Sequence, residues 1–120
     1  MESLKKNDDF RTCYRSGKSY ADRFLVVYVR PNGLDQNRIG ISVSKKVGNS
    51  VVRHRIKRLV RESYRLHEEE IDSGSDIAVI GRRSADGASY QEIERALLFL
   101  LGKAGIYPEK TTKDSETVQL

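Results

Sequence analysis

The residues best suited to chemistry lie between positions 45 and 63, where the chain reads KKVGNSVVRHRIKRLVRES. Lysine and arginine alternate here with apolar residues at helical spacing, and Asn49 or Ser50 can cap a helix after the turn at Gly48. We expect this helix to run from about Ser50 to His67. Guanidinium and ammonium groups are the side chains that bind phosphate, so the segment indicates an anion-binding surface.

The expected helix has two faces of opposite character. One arc is apolar and should pack on a sheet: Val52, Ile56, Leu59, Val60, Ser63 and Leu66. The other arc carries Arg53, Lys57, Arg58, Arg61 and Arg65, and Glu62 lies to one side of it, so we expect no acid to relieve the repulsion. Like charges at i,i+4 cost about 0.2–0.5 kcal/mol per pair, and a solvated face normally mixes signs. The pattern therefore favours phosphate binding over a merely solvated face.

The turn before the helix adds to this surface. Lys45 and Lys46 stand beside the free backbone N–H groups of a helix amino terminus, which attract anions. The spacing of glycine and lysine differs from that of a Walker A loop, so a nucleotide-binding loop is not indicated.

Length and composition indicate the number of domains, the absence of disulfides and the location of the protein. The chain has 120 residues, a formal net charge of +5 and one cysteine, Cys13. We expect a single domain over residues 1–107, no disulfide and a cytoplasmic location, since the first residues lack the features of a secretory signal. The longest apolar run, residues 96–101, is far too short to cross a membrane.

The elements that must position the basic helix differ in type along the chain. Residues 6–19 indicate a first helix, capped by Asn7 or Asp8 and ended by Gly17. The stretches RFLVVYVR, RIGISVSKK and DSGSDIAVIGR predict strands. Ser89 and Glu92 have capping-box spacing and open a last helix. This order indicates an α+β two-layer sandwich, and the polar residues 108–120 should form a disordered tail.

A second candidate surface lies on the sheet face that does not receive the basic helix. Strand alternation places Tyr28 on this face, together with the small residues Gly40, Ser42 and Ser44. Phe10 and Tyr14, at i,i+4 on the first helix, either border this face or are core contacts. Aromatic rings beside small residues are typical of sites where a nucleotide base stacks.

These residues resemble the signature of the protein subunit of bacterial ribonuclease P, a glycine turn followed by a helix carrying Arg-Asn-Arg-Ile-Lys-Arg-Leu. The matches are residues 42–46, Gly48, Asn49, Arg53, residues 55–59 and Arg61, with Asp9, Phe10, Tyr28, Gly81 and Arg82 outside the signature. The resemblance covers roughly residues 4–107. His54 departs from it, because the family usually has asparagine at this position, and we expect at most a weakened polar contact there.

The resemblance implies a fold and a function. The fold is a four-stranded mixed sheet with element order α-β-β-β-α-β-α, a short strand near Tyr20 and a left-handed βαβ crossover around the basic helix, against the usual rule of handedness. The function is to assist an RNA subunit that uses Mg²⁺ to remove the 5′ leader of precursor tRNA. The protein then supplies no catalytic residue and no organic cofactor, the Mg²⁺ is held mainly by the RNA subunit and the substrate, and no metal ligand is assigned to this chain. Its partners are the RNA subunit and precursor tRNA rather than DNA or a membrane.

The resemblance also implies two sets of binding residues. The set for the catalytic RNA is Lys45, Lys46, Asn49, Arg53, Arg55, Lys57, Arg58 and Arg61. The set for the single-stranded leader is Phe10, Tyr14, Tyr28 and Arg82.

Three other functions compete with this interpretation. A protein nuclease would need paired catalytic groups, but His54 and His67 fall on different sides of one helix and the HEEE stretch lacks metal-ligand spacing. A helix-turn-helix DNA-binding module is disfavoured because a strand precedes the basic helix. Binding to ribosomal RNA is the alternative that remains open, since composition does not separate one structured RNA from another.

Overall fold

The computed structural model describes residues 1–4 and 6–108, which form one mixed β-sheet with helices on both of its faces. The strands are β1 (Glu2–Ser3), β2 (Lys18–Ala21), β3 (Leu25–Pro31), β4 (Arg38–Val43) and β5 (Ser75–Gly81). The helices are α1 (Asn7–Ser16), α2 (Ser50–His67) and α3 (Tyr90–Lys103), with single 3-10 turns at Glu68–Glu70 and Arg83–Ala85. The predicted α+β class is confirmed, and the predicted tail, apart from Pro108, lies outside the described residues.

The strands are arranged in the order β1-β4-β5-β3-β2. β4 and β5 are parallel neighbours joined through α2, so this connection is a βαβ crossover, whose left-handed sense stays a prediction. The strand count of four was wrong, because Glu2–Ser3 adds a fifth strand parallel to Arg38 and Ile39 of β4. Two residues are too few to show an alternating pattern, so the sequence carried no sign of it.

The main core lies between the sheet and the helices α2 and α3. Alternation in the strands sends Leu25, Val27, Ile39 and Val43 to this face, where all are buried. From α3 the predicted stripe is buried with them, namely Ile93, Ala96, Leu97, Leu100 and Leu101.

The buried arc of α2 differs from the predicted one at its margins. Leu66 was assigned to the packing face but its exposed fraction is 58%, whereas Tyr64 is 1% exposed. Tyr64 tolerates burial because the side-chain amide of Asn37 donates a hydrogen bond to its hydroxyl at 3.3 Å. Hydropathy alone favours burial of leucine over burial of tyrosine. It gives no information on which side of the apolar arc of α2 the rest of the protein covers.

On the opposite face of the sheet, α1 packs on a smaller core. Leu4, Cys13 and Ala78 are buried there, with Phe10 and Tyr28 packed against them. The amino terminus of α1 is Asn7, but neither predicted cap is used: Lys6 holds the cap position without a side-chain hydrogen bond. Gly17 ends the helix as predicted, where its N–H donates to the carbonyl of Cys13 at 2.9 Å.

Candidate nucleic-acid interface

The first surface is a cationic stripe along α2, which begins at a well-defined cap. The Asn49 side chain accepts a hydrogen bond from the N–H of Val52 at 3.0 Å and fixes the start of the helix. The stripe comprises the five cations predicted to contact RNA: Arg53, Arg55, Lys57, Arg58 and Arg61. Arg58 and Arg61 are exposed, and the other three are partly exposed.

The cations of this stripe are available to an external anion. Within residues 1–4 and 6–108, no ion pair within 4.0 Å joins any of the five to a carboxylate. Arg53 is the most constrained of them, because its Nε donates to the carbonyl of Gly48 at 3.2 Å. The surface therefore holds several positive charges whose repulsion an RNA backbone would relieve.

Arg65, in contrast to these five cations, has a carboxylate partner. It was assigned to the same unrelieved arc, but it forms an ion pair with Glu62 one turn earlier in α2. The expectation that no acid relieves the repulsion was therefore wrong for Arg65. The three-residue spacing brings the two side chains together even though Glu62 lies beside the arc.

The turn that precedes α2 extends the stripe. Lys45 and Lys46 are exposed, and the Ser44 hydroxyl accepts a hydrogen bond from the N–H of Lys46 at 3.1 Å. Gly48 is needed here for space, since a Cβ at this position would come within 2.8 Å of the Val52 side chain. The side-chain oxygen of Asn49 accepts the capping hydrogen bond, so only its amide NH₂ remains to bind a ligand.

The second surface is an aromatic cluster formed by Phe10, Tyr14 and Tyr28. The ring centroids of Phe10 and Tyr14 lie 6.1 Å apart, and those of Tyr14 and Tyr28 lie 5.0 Å apart in an edge-to-face arrangement. Tyr14 is 37% exposed, and burial raises the pKa of its hydroxyl, so the phenol is neutral at physiological pH. The cluster offers ring surface to a base without adding charge.

An open cleft of about 430 Å³ lies between α1 and the edge of β4. Phe10 and Tyr14 line one wall, residues 41–43 of β4 form the floor, and Lys57 of α2 reaches the other side. Lys57, predicted only for the catalytic RNA, thus joins the cationic stripe to the cleft. Gly40 makes the arrangement possible, because a Cβ there would overlap the Phe10 ring.

Arg82 lies apart from the aromatic cluster with which it was grouped. Tyr28 pairs with Ala78 of β5, and Arg82 follows four residues later, which is about 13 Å along a strand. Its guanidinium donates to the carbonyl of Asp22 at 2.8 Å. The structure therefore brings Phe10, Tyr14 and Tyr28 together and places Arg82 just beyond the carboxyl end of β5.

Sequence reasoning missed the charged network that holds α1 on the sheet. Asp76 of β5 is fully buried, and Arg38 of β4 binds its two carboxylate oxygens at 2.8 and 2.7 Å. Arg38 also approaches Asp9 of α1 at 3.7 Å, and the Asn32 amide donates to Asp76 at 3.0 Å. A charged residue at the start of an otherwise apolar strand was the available sign of this network.

The electrostatics of Asp76 follow from these contacts. Burial acts to raise its pKa, but hydrogen bonds from Arg38 and Asn32 and the charges of Arg38 and Arg30 outweigh it, so the net shift is downward. The carboxylate therefore stays ionised and paired at neutral pH. Cys13 packs beside this network, and burial raises the pKa of its thiol to about 11.

The two histidines of α2 have unrelated surroundings. His54 is exposed on the stripe, whereas His67 lies between Glu70 and Glu94, which its ring nitrogens meet at 2.9 and 2.8 Å.

Among the described residues, no group of three or more His, Cys, Asp or Glu side chains is placed to hold a metal ion. In the same part of the chain, no helix combines the length and apolarity needed to span a membrane.

The fold and the two surfaces define an α+β protein in which a cationic stripe without carboxylate partners among the described residues lies beside an aromatic cleft. A family model described as Ribonuclease P matches residues 1–105. A ribonuclease P protein component of Lachnoclostridium phytofermentans is 56% identical over 82% of this chain and 85% of its own length, and one of Clostridium botulinum strain Langeland is 52% identical over 87% and 95%.

A solved structure gives the same result in three dimensions. The ribonuclease P protein of Staphylococcus aureus superimposes with a TM-score of 0.83 at 40% identity, covering 90% of this chain and 99% of that one. The chain therefore belongs to the family of bacterial ribonuclease P protein components, whose holoenzyme is an endoribonuclease that acts on tRNA precursors.

Proposed function

We propose that the cationic stripe of α2 binds the RNA subunit of ribonuclease P and that the aromatic cleft binds the 5′ leader of precursor tRNA. The observation that carries this proposal is the absence, within the described residues, of carboxylate partners for the five cations of the stripe. Lys57 supports the pairing of the two surfaces, because it belongs to the stripe and also lines the cleft.

The stripe is suited to binding the phosphate groups of a folded RNA rather than to reading a specific base sequence. Its side chains are arginine and lysine, which bind phosphate oxygens, and Asn49 has its side-chain oxygen occupied by the helix cap. Binding through phosphates releases counterions and depends strongly on salt. The amino-terminal turn with Lys45 and Lys46 would contribute further phosphate contacts at the start of the same helix.

The cleft suits a single strand. Phe10 and Tyr14 line the cleft and offer ring surface to unpaired bases, Tyr28 packs against the ring of Tyr14, and residues 41–43 of β4 provide a floor of small and apolar groups. Paired bases of the mature tRNA stem are stacked on one another and do not present their faces. The cleft would therefore distinguish a precursor from the mature product.

Hydrolysis is assigned to the RNA subunit, with Mg²⁺ bound mainly by that RNA and by the substrate. The ion would supply charge stabilisation at the scissile phosphate, and the residues of this chain would anchor RNA and leader around it. We propose that the protein acts in the cytoplasm and that it binds neither DNA nor a membrane.

Reconstitution tests the proposed function. The protein alone, mixed with precursor tRNA and Mg²⁺, should leave the substrate intact, and addition of the cognate RNA subunit should give one cut at the mature 5′ end. The comparison is made at an Mg²⁺ concentration where the RNA alone is slow, so that the contribution of the protein is visible. A protein that binds ribosomal RNA equally well and leaves the cleavage rate unchanged would contradict the proposal.

A further inference from the structure

Arg38 connects three elements of the fold. It is the first residue of β4 and lies directly opposite Asp76 of the parallel strand β5. Its Nε and one Nη bind the two carboxylate oxygens of Asp76 at 2.8 and 2.7 Å, and its other Nη lies 3.7 Å from the carboxylate of Asp9 in α1. The guanidinium therefore joins a buried carboxylate of the sheet to the first turn of α1.

Asp76 gives this guanidinium a fixed position. The carboxylate is fully buried, and side-chain nitrogens of Arg30 and Asn32 approach it at 3.6 and 3.0 Å. Two parallel N–H bonds to one carboxylate set the plane of an arginine side chain as well as its distance. Arg38 therefore presents its remaining Nη to α1 with little conformational entropy left to lose.

Few other contacts fix the first turn of α1 on the sheet. All ten residues of this helix are described, and only Cys13, in its second half, is buried. Lys6 at the cap position makes no side-chain hydrogen bond. Within residues 1–4 and 6–108, the pair of Asp9 and Arg38 is the one ion pair that joins α1 to the sheet. This pair is therefore well placed to set the distance between the first turn and β4.

The same turn carries one wall of the aromatic cleft. Phe10 directly follows Asp9, and its ring fills the space above Gly40. Gly40 in turn lies two residues after Arg38, on the same face of β4. Tyr14, one helical turn after Phe10, extends the wall, whereas Asp9 and Arg38 lie outside the lining of the cleft. A shift of the first turn would therefore move both rings relative to the floor of the cleft.

We propose that Arg38 is a positioning residue for precursor tRNA, which acts through Asp9 on the two rings that line the cleft. It contacts no RNA itself, and it holds the rings at the distance from β4 at which unpaired nucleotides bind. This inference rests on the proposed function of the cleft. Apolar residues of similar volume would hold two strands together as well as a buried ion pair does, so the charged network fits a role in setting geometry.

The charge of Asp9 gives the test a clear sign. A carboxylate near bound RNA repels the phosphates, so loss of this charge alone would strengthen binding, whereas loss of positioning would weaken it. Asp8 is the matched control. It is an acid of the same first turn, and it pairs with Arg11 of its own helix instead of with the sheet.

The experiment titrates holoenzyme, reconstituted with each variant, with precursor and with mature tRNA. We expect Asp9→Asn to bind the precursor about 5-fold more weakly because the rings are misplaced, and to leave the affinities for mature tRNA and for the RNA subunit unchanged. Asp8→Asn should show no loss, and Asp9→Glu, which restores the charge, should recover most of the affinity. Arg38→Lys keeps a cation but loses the two-pronged contact with Asp76, so it should reproduce the selective loss. Thermal unfolding verifies that each variant is folded at the temperature of the titration.

Three outcomes would overturn the inference. Unchanged or tighter binding of the precursor by Asp9→Asn would show that the ion pair does not place the rings. An equal loss with Asp8→Asn would assign the effect to the helix dipole, and an equal loss for precursor and mature tRNA would assign it to a general disturbance of the fold.

The proposed function is tested separately in the same titration. It stands in each of these three cases as long as the wild-type holoenzyme binds precursor more tightly than mature tRNA. A wild-type holoenzyme without this preference would contradict the proposed function of the cleft itself.

Discussion

Gly40 determines the shape of the aromatic cleft more directly than any ring does. Its missing side chain leaves the space that the Phe10 ring fills. We expect Gly40→Ala to displace Phe10, to lower the free energy of unfolding by about 1–3 kcal/mol through overpacking, and to weaken binding of precursor tRNA.

A double-mutant cycle provides the control for this prediction. Combining Gly40→Ala with Phe10→Ala removes the overlap, so the two changes should be strongly non-additive in urea unfolding. Additive losses would show that Gly40 and Phe10 act independently and that the cleft has another origin.

Tyr28 tests the stacking function of the cleft. Tyr28→Ala should weaken holoenzyme binding of precursor tRNA by about 1–3 kcal/mol, the usual range for one base stacked on an aromatic ring, and leave mature tRNA unaffected. Equilibrium titration with both RNAs measures the difference. Tyr107→Ala, which removes a ring that contacts His67 and not the cleft, is the control and should change neither value.

For individual residues of the cleft, the sequence predicted the residue types better than it predicted which of them lie close together. The spacing of Phe10 and Tyr14 and the alternation around Tyr28 brought three rings together correctly. Arg82 was grouped with them, yet it lies about 13 Å further along the sheet, because a linear motif carries no information on the length of strand between two of its members. Gly40 was placed on the correct face, but only the packed helix shows what fills the space above it.

The position of α1 depends on the network around Asp76. Arg38→Ala would leave a fully buried carboxylate with weaker partners, and we expect a loss of about 3 kcal/mol in the free energy of unfolding. Arg11→Ala is the matched control, because its ion pair with Asp8 on the same helix is exposed, and it should have little effect. Equal losses for the two variants in urea unfolding would refute the importance of the buried network.

The junction of α2 and α3 should respond to pH through His67. Hydrogen bonds with Glu70 and Glu94 raise the pKa of His67 above its ordinary value of 6.5. A raised folded-state pKa stabilises the protein fully below pH 6.5, and this stabilisation is lost as the pH rises through the raised value. The free energy of unfolding should therefore fall over that window.

Two variants separate this effect from general pH dependence. His67→Gln should flatten the pH profile of the free energy of unfolding above pH 6.5, since it removes the group that titrates there. His54→Gln is the matched histidine substitution, at an exposed position of the same helix, and its profile is measured beside that of His67→Gln. A profile unaffected by His67→Gln would rule out this histidine as its source.

Elements with long periodic patterns were predicted well from those patterns, and the short strand that the resemblance implies near Tyr20 is β2 (Lys18–Ala21), whereas β1 was not predicted. Eighteen residues of α2 and the alternation of β3 and β4 gave correct bounds to within a few residues. The two-residue β1 has no pattern of its own and exists because β4 offers a free edge. The burial of Tyr64 in place of Leu66 likewise depends on Asn37, which lies 27 positions away in sequence.

On the scale of the whole molecule, the two surfaces meet at α2. The helix buries one arc against the sheet, exposes the cationic stripe on another, and sends Lys57 into the cleft beside α1. The resemblance to a known family predicted both surfaces, but their contact at Lys57 depends on the crossover that sets α2 next to the edge of β4. A sequence without coordinates gives no such distance.

The salt dependence of binding to the ribonuclease P RNA subunit tests the central claim most directly. Five phosphate contacts from the stripe predict that log K falls with log salt with a slope of about −4, and that Arg58→Gln reduces its magnitude by about 0.7–0.9. Arg65→Gln should reduce it less, because Glu62 already pairs with Arg65. A slope near zero, or equal reductions for Arg58→Gln and Arg65→Gln, would contradict the account.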